Sequence, residues 1–370
     1  MSWSRIKWHI QRADWFMTFA ILALIVIGVF FIFSAGFQRA DVPVSQMYRR
    51  QIGWAIAGLV GYVFLAMTDY RRLAEVTWWI YAGTLVLLVL VLFIGTSVHG
   101  ASRWLSFFNI QIQPAEFAKL AVVLAVARYW SRPDRDPWQL GSMVLALVIA
   151  LVPFILIARQ PDLGTAATLI PVTLFILFVG GIRIKFLVFL ALIGLMLLPV
   201  GWMGLGNYQR ERILVFIDPG RDPYGAGWNK MQSEIAVGSG GLTGKGYLQG
   251  TQNVLGYLPR TVAPTDFIFT VIAEEKGFVG ATTVLGLFIL ILICGTRAAL
   301  IAADKEGRLI AVGITGMIFF HVFVNTAMTI GLMPITGLPL PLLSYGGSFM
   351  VSTMLGLGIL QSIIIRRSRR

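Results

Sequence analysis

The chain has 370 residues, of which 57% are hydrophobic and 13% are charged, and its mean hydropathy is +0.79. Because soluble domains carry about 25% charged residues, this composition excludes a soluble globular protein and indicates a polytopic membrane protein. The net charge of +13 does not indicate nucleic-acid binding, since most of it lies in short loops beside apolar segments and in the C-terminal tail, where the positive-inside rule explains it. The single cysteine, Cys294, excludes a disulfide within the chain.

Ten apolar segments follow along the chain, each near the length that a helix needs to cross a bilayer. They lie at 15–35, 51–68, 76–96, 114–130, 139–158, 163–181, 185–204, 267–296, 309–331 and 346–365. The fourth is short for a span and is predicted to be broken or tilted. The eighth is overlong, and its first part, with Glu274, Glu275 and Lys276, is predicted to be a separate or partly exposed helix. The predicted fold class is therefore all-α, in a single transmembrane domain over residues 1–370.

The distribution of lysine and arginine predicts the orientation of these spans. With the N-terminus inside, the inner segments carry more basic residues than the short outer loops. Both termini are therefore predicted to be cytoplasmic, and the long loop between spans seven and eight, at about 205–266, is predicted to face outward. The first segment follows a basic stretch and is long for a signal peptide, so it is interpreted as an uncleaved signal anchor.

The fourth span opens with the sequence QPAEFAKL, in which Glu116 and Lys119 are three residues apart and so lie on one helix face. A carboxylate and an ammonium inside a span are costly unless they pair or face a polar cavity. Two interpretations remain open. The pair either pins the helix structurally, or lines a polar cavity and orients a substrate or a catalytic group.

Two further signals are predicted at the outer surface. Arg103 beside Trp104 is typical of a membrane anchor, but next to a sugar or pyrophosphate the two would supply a fork of donors and a stacking face. Asp162, in the sequence QPDLGT, either caps the following helix or takes part in substrate or cation binding.

The long loop contains the glycine-rich sequence GSGGLTGKG at 238–246. It is not a P-loop, because Gly246 stands where a serine or threonine should hold magnesium. A flexible backbone able to approach an anion remains, with Lys245 beside it. This loop has no obvious regular structure, and together with the helix ends around it we predict it to be the active site.

Other parts of the loop add candidates for substrate binding. Residues 229–236, which include Ser233, are predicted to form a short helix. Arg210, with Tyr208 and Arg212, is placed to meet a phosphate where the seventh span ends.

Asp266 is the sharpest candidate, because it follows Pro264-Thr265 and immediately precedes the apolar run of the eighth segment. It either caps that helix or is a carboxylate at a low-dielectric boundary, where a raised pKa suits a general base. The charge-free segment GLPLPLLSYGGS at 337–348 is predicted to fold back into the outer cavity, buried in protein.

Taken together and in this order, QPAEFAKL, QPDLGT, GSGGLTGKG, PTDFIF followed by AEEKG, and GLPLPLLSYGGS resemble the SEDS family of shape, elongation, division and sporulation proteins. The resemblance runs from about Trp104 to the end of the chain. Pro339 and the short N-terminus are more similar to the RodA-like branch than to the FtsW-like branch. The family's essential aspartate falls on Asp266. One departure from the family pattern is the lack of a histidine immediately before Thr265-Asp266.

The resemblance implies a peptidoglycan glycosyltransferase with ten spans in the bacterial cytoplasmic (inner) membrane. It would polymerise lipid II into β-1,4 glycan strands at the outer face during cell elongation, beside a class B penicillin-binding protein and other elongation-complex membrane proteins. Both the glycan and lipid II carry undecaprenyl pyrophosphate. The buried Glu/Lys pair of the family falls on Glu116 and Lys119. The alternatives are a lipid II flippase or other transporter, a scaffold, and a division-specific polymerase.

Asp266 would serve as general base or cation ligand, and no nucleotide is needed. Cations for the leaving pyrophosphate would come from basic side chains or from a bound Mg²⁺ or Mn²⁺. The candidate substrate-binding residues are Arg103, Trp104, Asp162, Arg210, Ser233 and Lys245.

Overall fold

The computed structural model describes residues 3–37, 46–98, 101–107, 110–135, 139–258 and 262–367. Helices dominate these ranges. In chain order they are α1 (Trp3–Arg12), α2 (Trp15–Gly36), α3 (Met47–Met67), α4 (Tyr70–Glu75), α5 (Thr77–Ile94), α6 (Pro114–Ser131), α7 (Leu140–Ala158), α8 (Leu163–Val179), α9 (Ile184–Gly204), α10 (Asn207–Ile217), α11 (Ala226–Ser239), α12 (Thr251–Val254), α13 (Ile268–Ile301), α14 (Lys305–Thr329) and α15 (Gly347–Ile365).

Ten of the described helices lie at the ten predicted spans, which confirms the polytopic all-α fold class. Eight of them are long and apolar enough to cross a membrane. The other two are α8, which is apolar but has 17 residues, and α6, which has 18 residues and carries Glu116, Lys119 and Arg128. The prediction that the fourth span is broken is wrong, because α6 runs without interruption from Pro114, a residue suited to the first turn of a helix.

Close packing of α15 against α3 organises the middle of the bundle. A side chain at Gly358 would stand 2.7 Å from the carbonyl oxygen of Tyr62, and one at Gly58 would stand 2.9 Å from Met354. Small residues at these points let the two backbones approach, as is usual between helices in a membrane. By contrast, none of the described residues of α9 is buried, so this helix lies at the edge of the bundle.

α13 changes direction at Gly277, whose backbone angles (φ 62°, ψ −158°) are not helical. The glycine-rich loop forms hydrogen bonds with main-chain groups of α13 that lose their helical partners at this break. The Phe278 N–H donates to the Gly241 carbonyl at 2.8 Å, and the Lys245 N–H donates to the Glu274 carbonyl at 3.0 Å. A side chain at Gly277 would meet the loop backbone at 2.4 Å, so glycine is required on steric grounds as well.

Two expectations about this region were wrong, one of them in part. The first part of α13 is a separate helical piece, as one of the two alternatives predicted, because the helix is broken at Gly277. The other alternative, partial exposure, is wrong for its two carboxylates, because the side chains of Glu274 and Glu275 are fully buried beneath the loop, although Lys276 is exposed. The long loop is not irregular either, since it folds into α10, a short 3₁₀ helix (Pro219–Arg221), α11 and α12. The predicted short helix at 229–236 is confirmed within α11.

A small antiparallel sheet, not predicted from the sequence, precedes α6. Its strands are β1 (Thr96–Val98), β2 (Ala101–Phe107) and β3 (Ile110–Ile112), paired in the order β1-β2-β3. In register, Thr96 lies opposite Trp104 and Leu105 lies opposite Ile112. The sheet fixes the position of β2, and therefore of Arg103.

Candidate active site

Asp266 lies in a turn that is bonded to neighbouring segments through its main chain. The Tyr345 N–H donates to the Pro264 carbonyl at 2.9 Å, and the Ser344 hydroxyl donates to the Thr265 carbonyl. The Asn325 amide donates to the carbonyl of Asp266 itself at 2.9 Å. These three bonds hold the turn through its main chain, and the Asp266 carboxyl group takes part in none of them.

The helix-cap interpretation of Asp266 is wrong. α13 begins at Ile268, its N-cap is Phe267, and no side chain bonds to the free N–H groups of its first turn. The carboxylate of Asp266 is therefore available for another role, and it is partly exposed.

The surroundings of this carboxylate favour its protonated form. Although the residue is partly exposed, the protein around its carboxyl group excludes enough water to raise the pKa of Asp266 from 3.8 to about 6. The Arg212 guanidinium, a hydrogen bond with the Thr265 side chain and the Arg103 guanidinium oppose this rise in pKa, and the Asp162 carboxylate adds to it. The Asp266 Oδ2 and Arg212 Nη1 lie 3.4 and 3.5 Å from the point where a side chain at Gly337 would begin. A partly exposed carboxyl group with a pKa near 6 can accept a proton from a substrate. The positive charges of Arg212 and Arg103 can stabilise an anion that forms nearby.

Arg103 and Asp162 are brought together at the start of α8. The guanidinium Nη1 lies 3.7 Å from Asp162 Oδ1, and its Nε donates to the Gln160 carbonyl at 3.3 Å. Asp162 caps α8 by accepting from the Thr165 N–H at 3.2 Å, as predicted, and accepts from the Gln113 amide at 3.0 Å. Both residues act on the charge of Asp266, so the structure gathers these three predicted residues around one site.

Trp104 follows Arg103 on β2 and is partly buried, with its carbonyl accepting a hydrogen bond from the Thr96 hydroxyl at 3.1 Å. Its stacking role stays a prediction.

The sequence GLPLPLLSYGGS folds back as expected, because Leu338, Leu340, Leu342 and Leu343 are buried. Its polar groups find partners within the protein. The Leu340 N–H donates to the Ser344 hydroxyl at 2.8 Å, for example. The segment therefore reaches Asp266 as a fixed part of the wall, as non-helical backbone must be at membrane depth.

Glu116 and Lys119 form the predicted ion pair, 2.9 Å apart, with both side chains buried. Sequence reasoning missed a third member, His321 on α14, whose Nε2 lies 2.8 Å from Lys119 Nζ. No spacing rule would have found it, since 202 residues separate the two. The pair faces protein groups, which supports the structural interpretation. A role in orienting substrate stays a prediction.

Three other predicted residues have partners of their own. Arg210 donates to the carbonyls of Trp202 and Met203 at 3.0 and 2.7 Å, which satisfies the end of α9. It is Arg212, two residues further along α10, that lies near Asp266. The side chain of Tyr208 lies outside the described part of the chain.

Ser233 is fully buried, and its hydroxyl bonds to the Thr270 hydroxyl at 2.7 Å and to the Thr329 carbonyl at 2.8 Å. Lys245 lies 2.8 Å from Glu274 Oε1. These contacts join α11 and the glycine-rich loop to the helices beneath them. Direct substrate binding by Arg210, Ser233 or Lys245 stays a prediction.

Within the described ranges, no three or more histidine, cysteine or acidic side chains are grouped so as to hold a metal ion. Of the two carboxylates near the site, Asp162 already accepts from two protein donors, which leaves Asp266. A divalent cation would therefore depend on Asp266 and on oxygen atoms of the substrate, and it stays a prediction.

Comparison with known proteins places this geometry in context. Residues 14–369 match the model of a family described as cell cycle proteins, which carries the names FtsW, RodA and SpoVE. The peptidoglycan glycosyltransferase MrdB of Escherichia coli is 40% identical over 361 residues, covering 97% of this chain and 95% of the relative.

Two solved structures are similar over almost their whole length. One, a chain of a peptidoglycan synthase complex that coordinates polymerization and crosslinking, has a TM-score of 0.80 and 33% identity, covering 97% of this chain and 99% of the other. The rod shape determining protein RodA of Thermus thermophilus has a TM-score of 0.72 and 30% identity, covering 97% and 98%.

Proposed function

Because the chain belongs to the family of FtsW, RodA and SpoVE cell cycle proteins, we propose that it is a peptidoglycan glycosyltransferase of the RodA type that polymerises lipid II. The observation that carries this proposal is the partly exposed Asp266 carboxyl group, which lies near Arg212 beside Gly337 and whose raised pKa is opposed by the charges of Arg212 and Arg103. Its relatives include both RodA-type and FtsW-type enzymes, and the similarity to MrdB favours a role in cell elongation.

The residues around Asp266 suggest how the reaction proceeds. The 4-hydroxyl of the acceptor sugar attacks the anomeric carbon of the donor, and its proton passes to the Asp266 carboxylate. A β-1,4 bond forms as the bond to the pyrophosphate breaks, with inversion at the anomeric carbon. The pyrophosphate leaves as an anion and needs no proton, and its charge is balanced by Arg212 and Arg103. A bound Mg²⁺ or Mn²⁺ would add positive charge at the same place.

A class B penicillin-binding protein is the proposed partner. The support is the similarity to a chain of a complex in which polymerization and crosslinking are coordinated. A crosslinking enzyme beside the polymerase would act on the strand as it leaves the site.

The proposed orientation has both termini in the cytoplasm and Asp266 near the outer face, because lysine and arginine are enriched in the inner segments. A reporter fused after Arg370 should then be cytoplasmic, and one inserted near Thr251 should be external. An external C-terminus would contradict this topology.

The decisive experiment is polymerisation of lipid II by the purified protein in detergent, with and without its partner. An enzyme makes glycan chains there, whereas a flippase has no second leaflet to serve and makes none. A scaffold would likewise yield no product unless the partner supplied the activity, and the Asp266→Asn variant with the same partner exposes that case.

A further inference from the structure

Two buried polar residues on α14 are not used by the proposed reaction. His321 and Asn325 are one helical turn apart, so they lie on the same face of the helix. Both are almost completely inaccessible to solvent. A buried polar side chain is costly unless it is hydrogen-bonded, so the partners of these two residues indicate their role.

His321 connects the buried ion pair to the folded-back segment. Lys119 is an ammonium group that can only donate, so His321 Nε2, at 2.8 Å, is the acceptor. The neutral ring then carries its proton on Nδ1, which lies 3.3 Å from the Pro339 carbonyl and donates to it. Lys119 therefore determines the tautomer of His321, and through it the hydrogen bond to the segment that lies beside Asp266.

Asn325 joins the same segment to the Asp266 turn. Its amide nitrogen donates to the Leu338 carbonyl at 2.7 Å and to the Asp266 carbonyl at 2.9 Å. Because both neighbours are acceptors, the amide nitrogen must face them. A single side chain thus holds the main chain of the candidate base against the wall of the site.

We propose that His321 and Asn325 are positioning residues for Asp266, and that Glu116 and Lys119 act on the reaction through them rather than by touching the substrate. This inference rests on the proposed function, because it needs Asp266 to be the group that takes the proton. Displacing a reacting group by about 1 Å can lower the rate about 100-fold even when substrate binding is intact.

The test is steady-state polymerisation by the purified full chain in detergent, with kcat and KM for lipid II measured at matched folded concentration. We expect His321→Leu and Asn325→Ala to lower kcat about 10- to 100-fold, with KM within about twofold of wild type. His321→Gln keeps one donor and one acceptor and should recover most of the loss. In the His321→Leu background, Lys119→Met should lower kcat little further, because the hydrogen bonds that connect Lys119 to the segment beside Asp266 are already lost.

Thr173→Val is the matched control. Thr173 is buried on α8, and its hydroxyl donates to the Leu169 carbonyl within the same helix, at 2.7 Å. The control should leave kcat and KM unchanged. If His321→Leu or Asn325→Ala does not fold, His321→Gln and Asn325→Ser, which keep a donor, are measured for a smaller effect of the same kind.

A rise in KM with unchanged kcat, or losses that only follow the folded fraction, would overturn the positioning role. Full additivity of Lys119→Met and His321→Leu would overturn the route through His321. A wild-type protein that makes no glycan would instead refute the proposed function, so the two failures are distinguishable.

Discussion

Asp266 and Glu274 are two carboxylates on the same chain segment, each beside irregular backbone, yet their surroundings are opposite. Asp266 is partly exposed, and it is its main chain that is tied to its neighbours. Glu274 is fully buried, and its Oε1 accepts from Lys245 Nζ and from the Gln252 N–H, both at 2.8 Å.

This difference distinguishes a candidate catalytic carboxylate, Asp266, from a structural one, Glu274. Glu274 is inaccessible to a substrate because it is fully buried, whereas the Asp266 carboxyl group is partly exposed and its raised pKa suits a general base. The glycine-rich loop therefore serves to close the break in α13 at Gly277, whereas the Asp266 carboxylate stays partly exposed and accessible for chemistry. Variants at five residues and a change of pH can break or sharpen this contrast.

The largest effect is expected from Asp266→Asn. Asparagine keeps the shape but cannot take a proton, and a positioned base contributes about 10²- to 10⁴-fold in rate. The variant should fold and bind its partner but fail to polymerise lipid II, and Asp266→Glu should recover little. Glycan length on a gel at matched folded concentration is the measurement.

Glu274→Gln is the matched comparison for that experiment, because it makes the same chemical change at the second carboxylate. It should lower the folded yield and leave the rate per folded molecule nearly unchanged. Near-normal chains from Asp266→Asn, or a catalytic loss confined to Glu274→Gln, would reverse the assignment of the two carboxylates.

The next largest effect, a loss of stability, is expected for Glu116→Ala and Lys119→Ala. Each leaves the other member of a buried ion pair uncompensated, which costs about 3–5 kcal/mol. The free energy of unfolding of purified protein should fall by this order in each single variant. The double variant should lose less than the sum of both. Additive losses would show that the two groups act independently.

A smaller loss of stability is expected for Lys245→Met. The substitution keeps the apolar stem and removes the bonds to Glu274 and to the Thr251 hydroxyl, at about 1.5–3 kcal/mol for a bond to a charged group. Unfolding in denaturant measures it. Lys276→Met is the control, since Lys276 lies exposed over the Tyr247 ring in the same region. A fall in polymerisation without a fall in stability would return Lys245 to the substrate-binding role predicted from the sequence.

The smallest expected effect is that of pH. A base with a pKa of about 6 is active above that value, so kcat/KM should fall about tenfold for each pH unit below it. The effect on stability has the opposite direction. Between pH 3.8 and about 6 the folded state binds the Asp266 proton and the unfolded chain releases it, so this contribution to stability falls as pH rises through that window. A flat rate profile from pH 5 to 7 would argue against Asp266 as the base.

Much of the architecture could be predicted from the sequence because it depends on local patterns. A bilayer imposes one environment on every span, so apolar length alone located all ten helices. The three-residue spacing of Glu116 and Lys119 placed them on one face before any contact was known. The position of Asp266 just before an apolar run placed it at a helix end, and the short motifs identified the family.

Other features depended on contacts between distant parts of the chain. Nothing near Lys119 points to His321, because helices α6 and α14 meet only in the folded bundle. The long loop was expected to be irregular, but α11 within it is joined to α13 and α14 by the hydrogen bonds of Ser233, which local sequence does not reveal. The break at Gly277 also depends on a distant segment of the chain. The glycine-rich loop supplies the hydrogen bonds that α13 loses where it bends. Sequence thus determined where the long apolar helices lie and which carboxylate is the candidate base. Tertiary structure decided that Glu274 is fully buried and bonded to the glycine-rich loop whereas Asp266 is partly exposed, because burial and hydrogen-bond partners are set by three-dimensional proximity.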